Sequence, residues 1–337
     1  MHMADALLSP PVAGVMALGS CSVAGYSIYK LSKEEDEKIV PVMGVMGAFV
    51  FATQMINFTI PGTGSSGHLC GGLLLSAILG PYGAFLTMIS VLAIQCLMFA
   101  DGGLMALGAN VWNMAFYGCF LGAFIWKMSG KNGLTKRKIM LTSIIGSVIT
   151  LQLGAFSVSV ETFLSGISQL PFSIFITTML PIHLAIGIVE GLITSCVLVF
   201  VYETRPTLLW CANKKMDEIE KLSLKAIIKI MLIVSLVIAG FVSLFASSFP
   251  DGLEWSIQKL TGSTEIEGTS TVLTSISESI QKLTSILPDY NFSGSESNVG
   301  TSVSGLVGAI VVLASVVLVS TLIRKWVHRN ESNTSSH

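Results

Sequence analysis

Charge is what this chain has least of. Asp, Glu, Lys and Arg supply 12% of the 337 residues against 52% hydrophobic ones, and the mean hydropathy is +0.74. So few charges cannot solvate the surface of a soluble domain, and the composition is that of an integral membrane protein. A net charge of −1 excludes the basic balance of a nucleic-acid binder. The chain has no GxxxxGK[ST] phosphate loop; Gly130-Lys131-Asn132 is only part of a basic loop. Any pumping must therefore be powered by a partner. HExxH is absent too, as is any Ser/His or Cys/His spacing that suggests intramembrane hydrolysis. The six cysteines (Cys21, Cys70, Cys96, Cys119, Cys196, Cys211) form no CxxC or paired pattern and read as packing residues. The first apolar run lacks a basic n-region and a small-residue cleavage site, so it is expected to stay as a span.

What the chain does have is long apolar runs. They fall at about 10–30, 39–60, 84–100, 105–126, 139–160, 180–202, 226–248 and 304–323. A shorter Gly-rich run at 69–80 ends at Gly80-Pro81, and counting it gives nine spans. With nine, the basic loops all fall on one side. Lys30, Lys33 and Lys38 occupy one loop, and Lys127, Lys131, Lys136, Arg137 and Lys138 the next. Arg205, Lys214, Lys215, Lys221 and Lys225, with Lys229 just inside a span, form the third, and Arg324, Lys325 and Arg329 close the chain. Of 19 basic residues, only Lys259 and Lys282 lie opposite. The positive-inside rule then puts the amino terminus outside and the carboxyl terminus inside. Dropping the short span destroys the asymmetry.

Two blocks follow from the polar interruptions. Residues 1–205 carry seven spans. A charged cytoplasmic linker, 206–224, leads to a two-span block, 225–330. Between those two spans lies a long outer segment, 249–303, opening with Phe249-Pro250-Asp251-Gly252-Leu253-Glu254-Trp255 and then rich in Ser, Thr and Gly. Within it, Leu273, Ile276, Ile280, Leu283 and Leu287 recur at helical spacing, predicting a short amphipathic helix laid on the membrane or on the first block.

The chemistry points to the start of the chain. In Met1-His2 the α-amine, the His2 amide nitrogen and His2 Nδ1 can close a five- and a six-membered chelate ring on one ion. Three nitrogens are then forced into one plane, which suits Ni(II) or Cu(II) better than tetrahedral Zn(II). On the same face, the uncharged loop from Asn57 to Gly72 is dense in glycine and holds a single imidazole, His68, placed to supply the fourth nitrogen. Neither feature is diagnostic alone: residue two is often an arbitrary solvated residue, and such a loop an ordinary turn. Asp5 follows as a candidate support for the metal segment. Gln54, Asn57, Asp101, Asn110 and Asn113 gather at the same mouth. His183 and Glu190 share one face of the seventh span, where ionisable residues are functional candidates by default, although Glu190 also suits a purely structural pairing. Cys70 and Met3 are weaker candidates, as a soft ligand and an axial cover.

Four stretches together carry a resemblance. They are Met1-His2-Met-Ala-Asp5-Ala-Leu-Leu-Ser9-Pro10, Gly-Ser-Ser-Gly67-His68-Leu-Cys-Gly-Gly72, Asp101-Gly-Gly-Leu-Met-Ala-Leu-Gly-Ala-Asn110 and His183-Leu-Ala-Ile-Gly-Ile-Val-Glu190-Gly-Leu-Ile-Thr194. In this order, over residues 1–205, they resemble the CbiM/NikM family, the substrate-binding membrane components of energy-coupling factor transporters for cobalt and nickel. Pro250-Asp-Gly-Leu-Glu254 between two spans resembles the NikN-type accessory component, here fused in one chain. The resemblance implies a seven-helix bundle with an outer metal site. Its ligands would be the Met1 amine, the His2 amide nitrogen, the His2 ring and the His68 ring. It also implies a membrane coupling subunit of the CbiQ/NikQ type and a cytoplasmic ATPase of the CbiO/NikO type. One departure is visible: the family start Ile-Pro-Asp-Gly is here Met3-Ala4-Asp5-Ala6, which leaves the ligands but changes the path of the segment. A histidine at position two disfavours removal of Met1.

The expectation is an all-α multi-pass protein of a prokaryotic plasma membrane that captures Ni(II), with Co(II) as the alternative cargo, and has no catalytic residues or cofactor. Affinity order alone favours Cu(II), so selectivity must come from the cage or from metal supply. An intramembrane metalloenzyme would need a general base beside an open coordination position, and none is near the two histidines. A partner-independent channel is at odds with a closed chelate.

Overall fold

The apolar runs fold as long helices that pack through small residues. A computed structural model describes residues 1–33, 39–168, 170–211, 220–264, 266, 271–292 and 298–334, with side chains as far as Ile323. The order is α1 (Pro10–Leu31), α2 (Ile39–Gln54), a hairpin of β1 (Phe58–Ile60) and β2 (Ser65–Gly67), α3 (Gly72–Phe99), then α4 (Leu107–Asn110). The last runs on through a π-helical stretch, Val111–Leu121, into α5 (Gly122–Gly130). Next come α6 (Lys136–Ser165), α7 (Phe172–Thr204), α8 (Leu224–Gly240), two short helices α9 (Gly252–Thr261) and α10 (Val272–Thr284), and α11 (Asn298–Thr334). Among the described residues, five helices are long and apolar enough to cross a bilayer, so the chain is a multi-pass membrane protein. The linker residues 212–219, with Lys214 and Lys215, lie outside the described residues, as does Lys38.

Three expectations need correction. The run at 39–60 is helical only to Gln54, because the chain then turns into β1. The run at 226–248 leaves the helix at Gly240 for a 3₁₀ turn, Val242–Phe245. The runs at 69–80 and 84–100 are limbs of one bent helix, α3, broken at Gly80 (φ 71°), where the ring of Trp210 leaves no room for a side chain.

That bend positions the site. Met1 lies at one end of the bundle, whereas Gly80 lies beside Trp210, which follows α7 at the other. The first limb of α3, from Gly72 to the bend, spans only ~12 Å, well under half of a ~30 Å hydrocarbon layer. The loop before it must therefore descend into the bundle to meet it.

Close helix contacts hold this arrangement. A Cβ on Gly72 would lie 2.7 Å from Gly118 Cα, and one on Gly191 2.4 Å from Ile144 Cα, so these backbones touch. Gly44 and Gly47 of α2 receive Val317 and Val312 of α11 in the same way, which seats the accessory helices against the first block.

Candidate metal centre

The amino-terminal strand is sealed into the bundle: Met1, Met3, Leu7 and Leu8 are all buried. Its backbone is held by side chains. Asn110 Oδ1 accepts from Met3 N (2.7 Å) and Asn110 Nδ2 donates to Met3 O (3.1 Å), while Gly103 N also donates to Met3 O (2.9 Å). Asp5 accepts from Ala106 N (2.9 Å) and from the Ser277 hydroxyl. Gly103 packs so closely that a Cβ there would overlap the Asp5 carboxylate. Asp5 and Asn110 thus hold the chain on which the candidate ligands ride.

The glycine loop folds as the β1–β2 hairpin, Phe58 opposite Gly67, and its outer edge is taken up by the accessory segment. Ser66 N donates to Pro250 O (2.8 Å), Ser247 N to Asn57 O (2.7 Å), and Trp255 Nε1 to Thr63 O (3.0 Å). Beyond the hairpin the chain sinks to Glu190, whose two carboxylate oxygens accept from Cys70 N (2.9 Å) and Gly71 N (3.1 Å). Gln54 Nε2 donates to Cys70 O (2.9 Å). Irregular backbone inside a bundle needs such partners. Glu190 thus fixes the loop two residues beyond His68.

His68 and Met1 meet at the centre. The Met1 nitrogen lies 3.1 Å from His68 Nε2. His68 Nδ1 donates to Leu69 O (3.1 Å), which leaves the Nε2 lone pair facing the amine, the tautomer that a metal ligand requires. Burial first, then the Met1 ammonium and His2, push His68 down to about 3, so its ring is neutral. The His2 and His68 rings stack with centroids 5.5 Å apart. His2 does not yet face the amine: Nδ1 lies 3.1 Å from Asp101 Oδ1 and Nε2 3.2 Å from Gln95 Oε1. Burial lowers its pKa despite Asp101, and a neutral ring beside a carboxylate carries its proton on Nδ1.

The remaining candidates divide. Asn113 lies behind Met3, donating to Glu161 Oε2 (2.8 Å) and to Met3 Sδ (3.5 Å). His183 donates from Nδ1 to Met179 O (2.7 Å) and sits under Gly252, lining with Met1 and His68 a small pocket of about 10 Å³. Asn57 gives its carbonyl to Ser247 and lines only the vestibule. The Cys70 thiol donates to Met114 O, away from the amine. The cysteines are all free.

Several site residues had not been singled out. Gln95 links His2 to Gln54 (2.8 Å). Tyr290 donates to Asp101 (2.5 Å), and Gln281 to Gly102 O (2.8 Å). Asp251 meets the Met1 nitrogen through Oδ2 at 2.5 Å. The predicted helix α10 is present, with its polar stripe on the first block and its apolar stripe outward. Its polar residues Thr274, Ser277 and Gln281 face the site, while Leu273, Ile276, Ile280 and Leu283 are exposed. The buried surface it meets is hydrogen-bonding backbone and Asp5, so the polar stripe, not the apolar one, has partners there.

Among the described residues, no three His, Cys, Asp or Glu side chains gather as a metal cage. The main-chain nitrogens of Met1 and His2 are therefore candidate donors beside the two histidine rings. Above it opens a vestibule of about 660 Å³ lined by His2, His68, Asp101, Asp251, Glu254 and Glu278 among others.

Comparison with known proteins gives the family. Residues 2–208 match CbiM, the cobalt uptake substrate-specific transmembrane region, and residues 225–325 match the PDGLE domain. The chain belongs to the CbiM family. A relative from Archaeoglobus fulgidus, bearing the name fused nickel transport protein NikMN, is 33% identical over 93% of this chain and 96% of its own. One from Lactiplantibacillus plantarum, bearing the name fused nickel transport protein LarMN, is 27% identical over the whole of both. A crystal structure of a truncated transition metal transporter superposes with a TM-score of 0.54 at 33% identity, covering 60% of this chain and 99% of that one. This CbiM-family chain is thus a transition-metal transport protein and not an enzyme.

Proposed function

We propose that the chain captures Ni(II) at its Met1 end and that this end faces the outside. The four donors are the Met1 amine, the His2 amide nitrogen, His2 Nδ1 and His68 Nε2. One observation carries the reading: the buried Met1 nitrogen and the neutral His68 Nε2 lie 3.1 Å apart, the spacing of two neighbouring donors around one small ion. Closing the plane requires the His2 ring to leave Asp101 and bring Nδ1 to the same ion.

The charge pattern supports the orientation, since the described basic loops lie at the end opposite Met1. The Lys136–Glu203 pair joins α6 to α7 there. We divide the chain into a metal-binding unit, 1–205, a linker, 206–224, and an accessory unit, 225–330. With no nucleotide-binding loop of its own, the chain delivers its ion through a membrane coupling subunit and a cytoplasmic ATPase of the energy-coupling factor type. Co(II) is the second reading, favoured by the cobalt-uptake description of the matched family.

Equilibrium competition between Ni(II) and Co(II) on the purified chain separates the two. Tighter binding of nickel is expected. Equal or tighter binding of cobalt overturns the choice of metal.

A further inference from the structure

Asp251 lies outside the four-nitrogen set, yet it is the group in closest polar contact with the Met1 amine. It caps α9. Oδ1 accepts from Leu253 N (2.8 Å) and Glu254 N (2.9 Å), and Glu254 returns a bond to Asp251 N (3.0 Å). The helix terminus thereby pins one oxygen and aims the other, Oδ2, at the metal site. Oδ2 lies 2.5 Å from the Met1 nitrogen and 3.9 Å from His68 Nε2.

Those distances describe a coordination corner. Around an ion with bonds of ~2.0 Å, adjacent donors stand ~2.8 Å apart and opposite donors ~4 Å. The amine and His68 are spaced as neighbours, and Oδ2 and His68 as opposites. In the finished plane the group opposite His68 is the His2 amide nitrogen, the middle donor of the tridentate chelate. Asp251 therefore occupies the seat that the amide takes last. Asp251 and His68 also line both the vestibule and the small pocket beneath it, so the two stand at the threshold between them.

We propose that Asp251 is the receiving ligand of the site. The inference rests on the four-nitrogen reading above. An ion arriving from the vestibule is first held by the Met1 amine, His68 Nε2 and Asp251 Oδ2. The His2 amide nitrogen then forms its bond to the ion as the bond to Oδ2 breaks. Two protons go to water through the vestibule, one from the ammonium and one from the amide, the proton on His2 Nδ1 passes to Nε2 as the ring turns to the ion, and no electron moves. The accessory segment thus speeds loading without belonging to the final complex.

Stopped-flow mixing of the purified full chain with Ni(II), followed at the planar nickel absorption band, tests this. Asp251→Asn keeps the cap, since asparagine is an equally good N-cap residue, but removes the anionic donor. The on-rate is expected to fall at least ~10-fold with the end-point spectrum unchanged, whereas Glu254→Gln, which removes a vestibule charge without touching the amine, costs less than ~3-fold. An Asp251→Asn chain that loads as fast as the parent, or no slower than Glu254→Gln, overturns the proposal. So does an altered end-point spectrum, which would make Asp251 a permanent ligand. Absence of the planar band in the parent chain would instead refute the four-nitrogen reading itself.

Discussion

The two ends of the bundle are built on opposite plans. At the end opposite Met1, α5 and α6 meet in a short, largely exposed basic connection, and the ion pair Lys136–Glu203 lies at the surface. At the Met1 end the backbone is irregular and buried, and acids and amides hold it: Asp5 on Ala106, Glu190 on Cys70 and Gly71, Asn110 on Met3, Asp251 on the amine. The first plan needs only solvation and helix packing. The second fixes main-chain nitrogens in space, which is what a site using an amine and an amide as ligands demands. On the proposed reading, Asp5 and Glu190 are scaffolding for nitrogen donors, and side-chain ligands alone would not reveal the site.

The sharpest way to break that contrast is to move the amine. One glycine added before Met1 is expected to weaken Ni(II) binding at least ~10³-fold, about 4 kcal/mol, by calorimetric titration, while Lys136→Ala at the other end leaves it within about twofold. His68→Ala comes next, with a loss of about 10²-fold. His183→Ala, whose ring bonds only within its helix, should cost far less, and equal losses would move the site into the bundle. Glu190→Ala frees Cys70 N and Gly71 N and is expected to cost 10- to 100-fold, roughly what outer supports of metal ligands contribute, together with a lower Tm. Acidification gives the gentlest test. Burial would lower the Met1 amine, but Asp251 outweighs it and raises the pKa above the ordinary 8.0. The empty site is therefore protonated at neutral pH. Because the ion must replace that proton and the His2 amide proton, apparent affinity should climb about a hundredfold per pH unit from pH 6 to 8. His68, already neutral above about 3, adds no slope there.

Much of this was legible in the sequence. Hydropathy located the helices because lipid demands long apolar runs, and Met1 and His2 were readable as a candidate chelate because chelation depends on atoms adjacent along the chain. Asp5 and Asn110 were legible as polar residues beside those ligands. Asp251 was not, since its role depends on a contact 250 residues away. It was visible only as part of the Pro250–Glu254 motif. Glu161, the buried partner of Asn113, was hidden in an apolar run for the same reason. The choice between the two seats expected for α10 was not legible, because periodicity gives the apolar stripe but not the polarity of the protein surface the helix meets. Here that surface is polar backbone and Asp5, so Ser277 and Gln281 turn inward. The end of α2 at Gln54 was obscured by the apolar residues Phe58 and Ile60, which serve a hairpin instead.

The central claim is that four nitrogens, two of them from the main chain, surround the ion in one plane. Absorption and magnetic measurement of the purified chain saturated with Ni(II) tests it most directly. Four in-plane nitrogens require a yellow-to-orange, diamagnetic low-spin complex. A weakly absorbing, paramagnetic octahedral complex would contradict the account, because it would mean that oxygen ligands such as Asp251 or water, and not the His2 amide, complete the site.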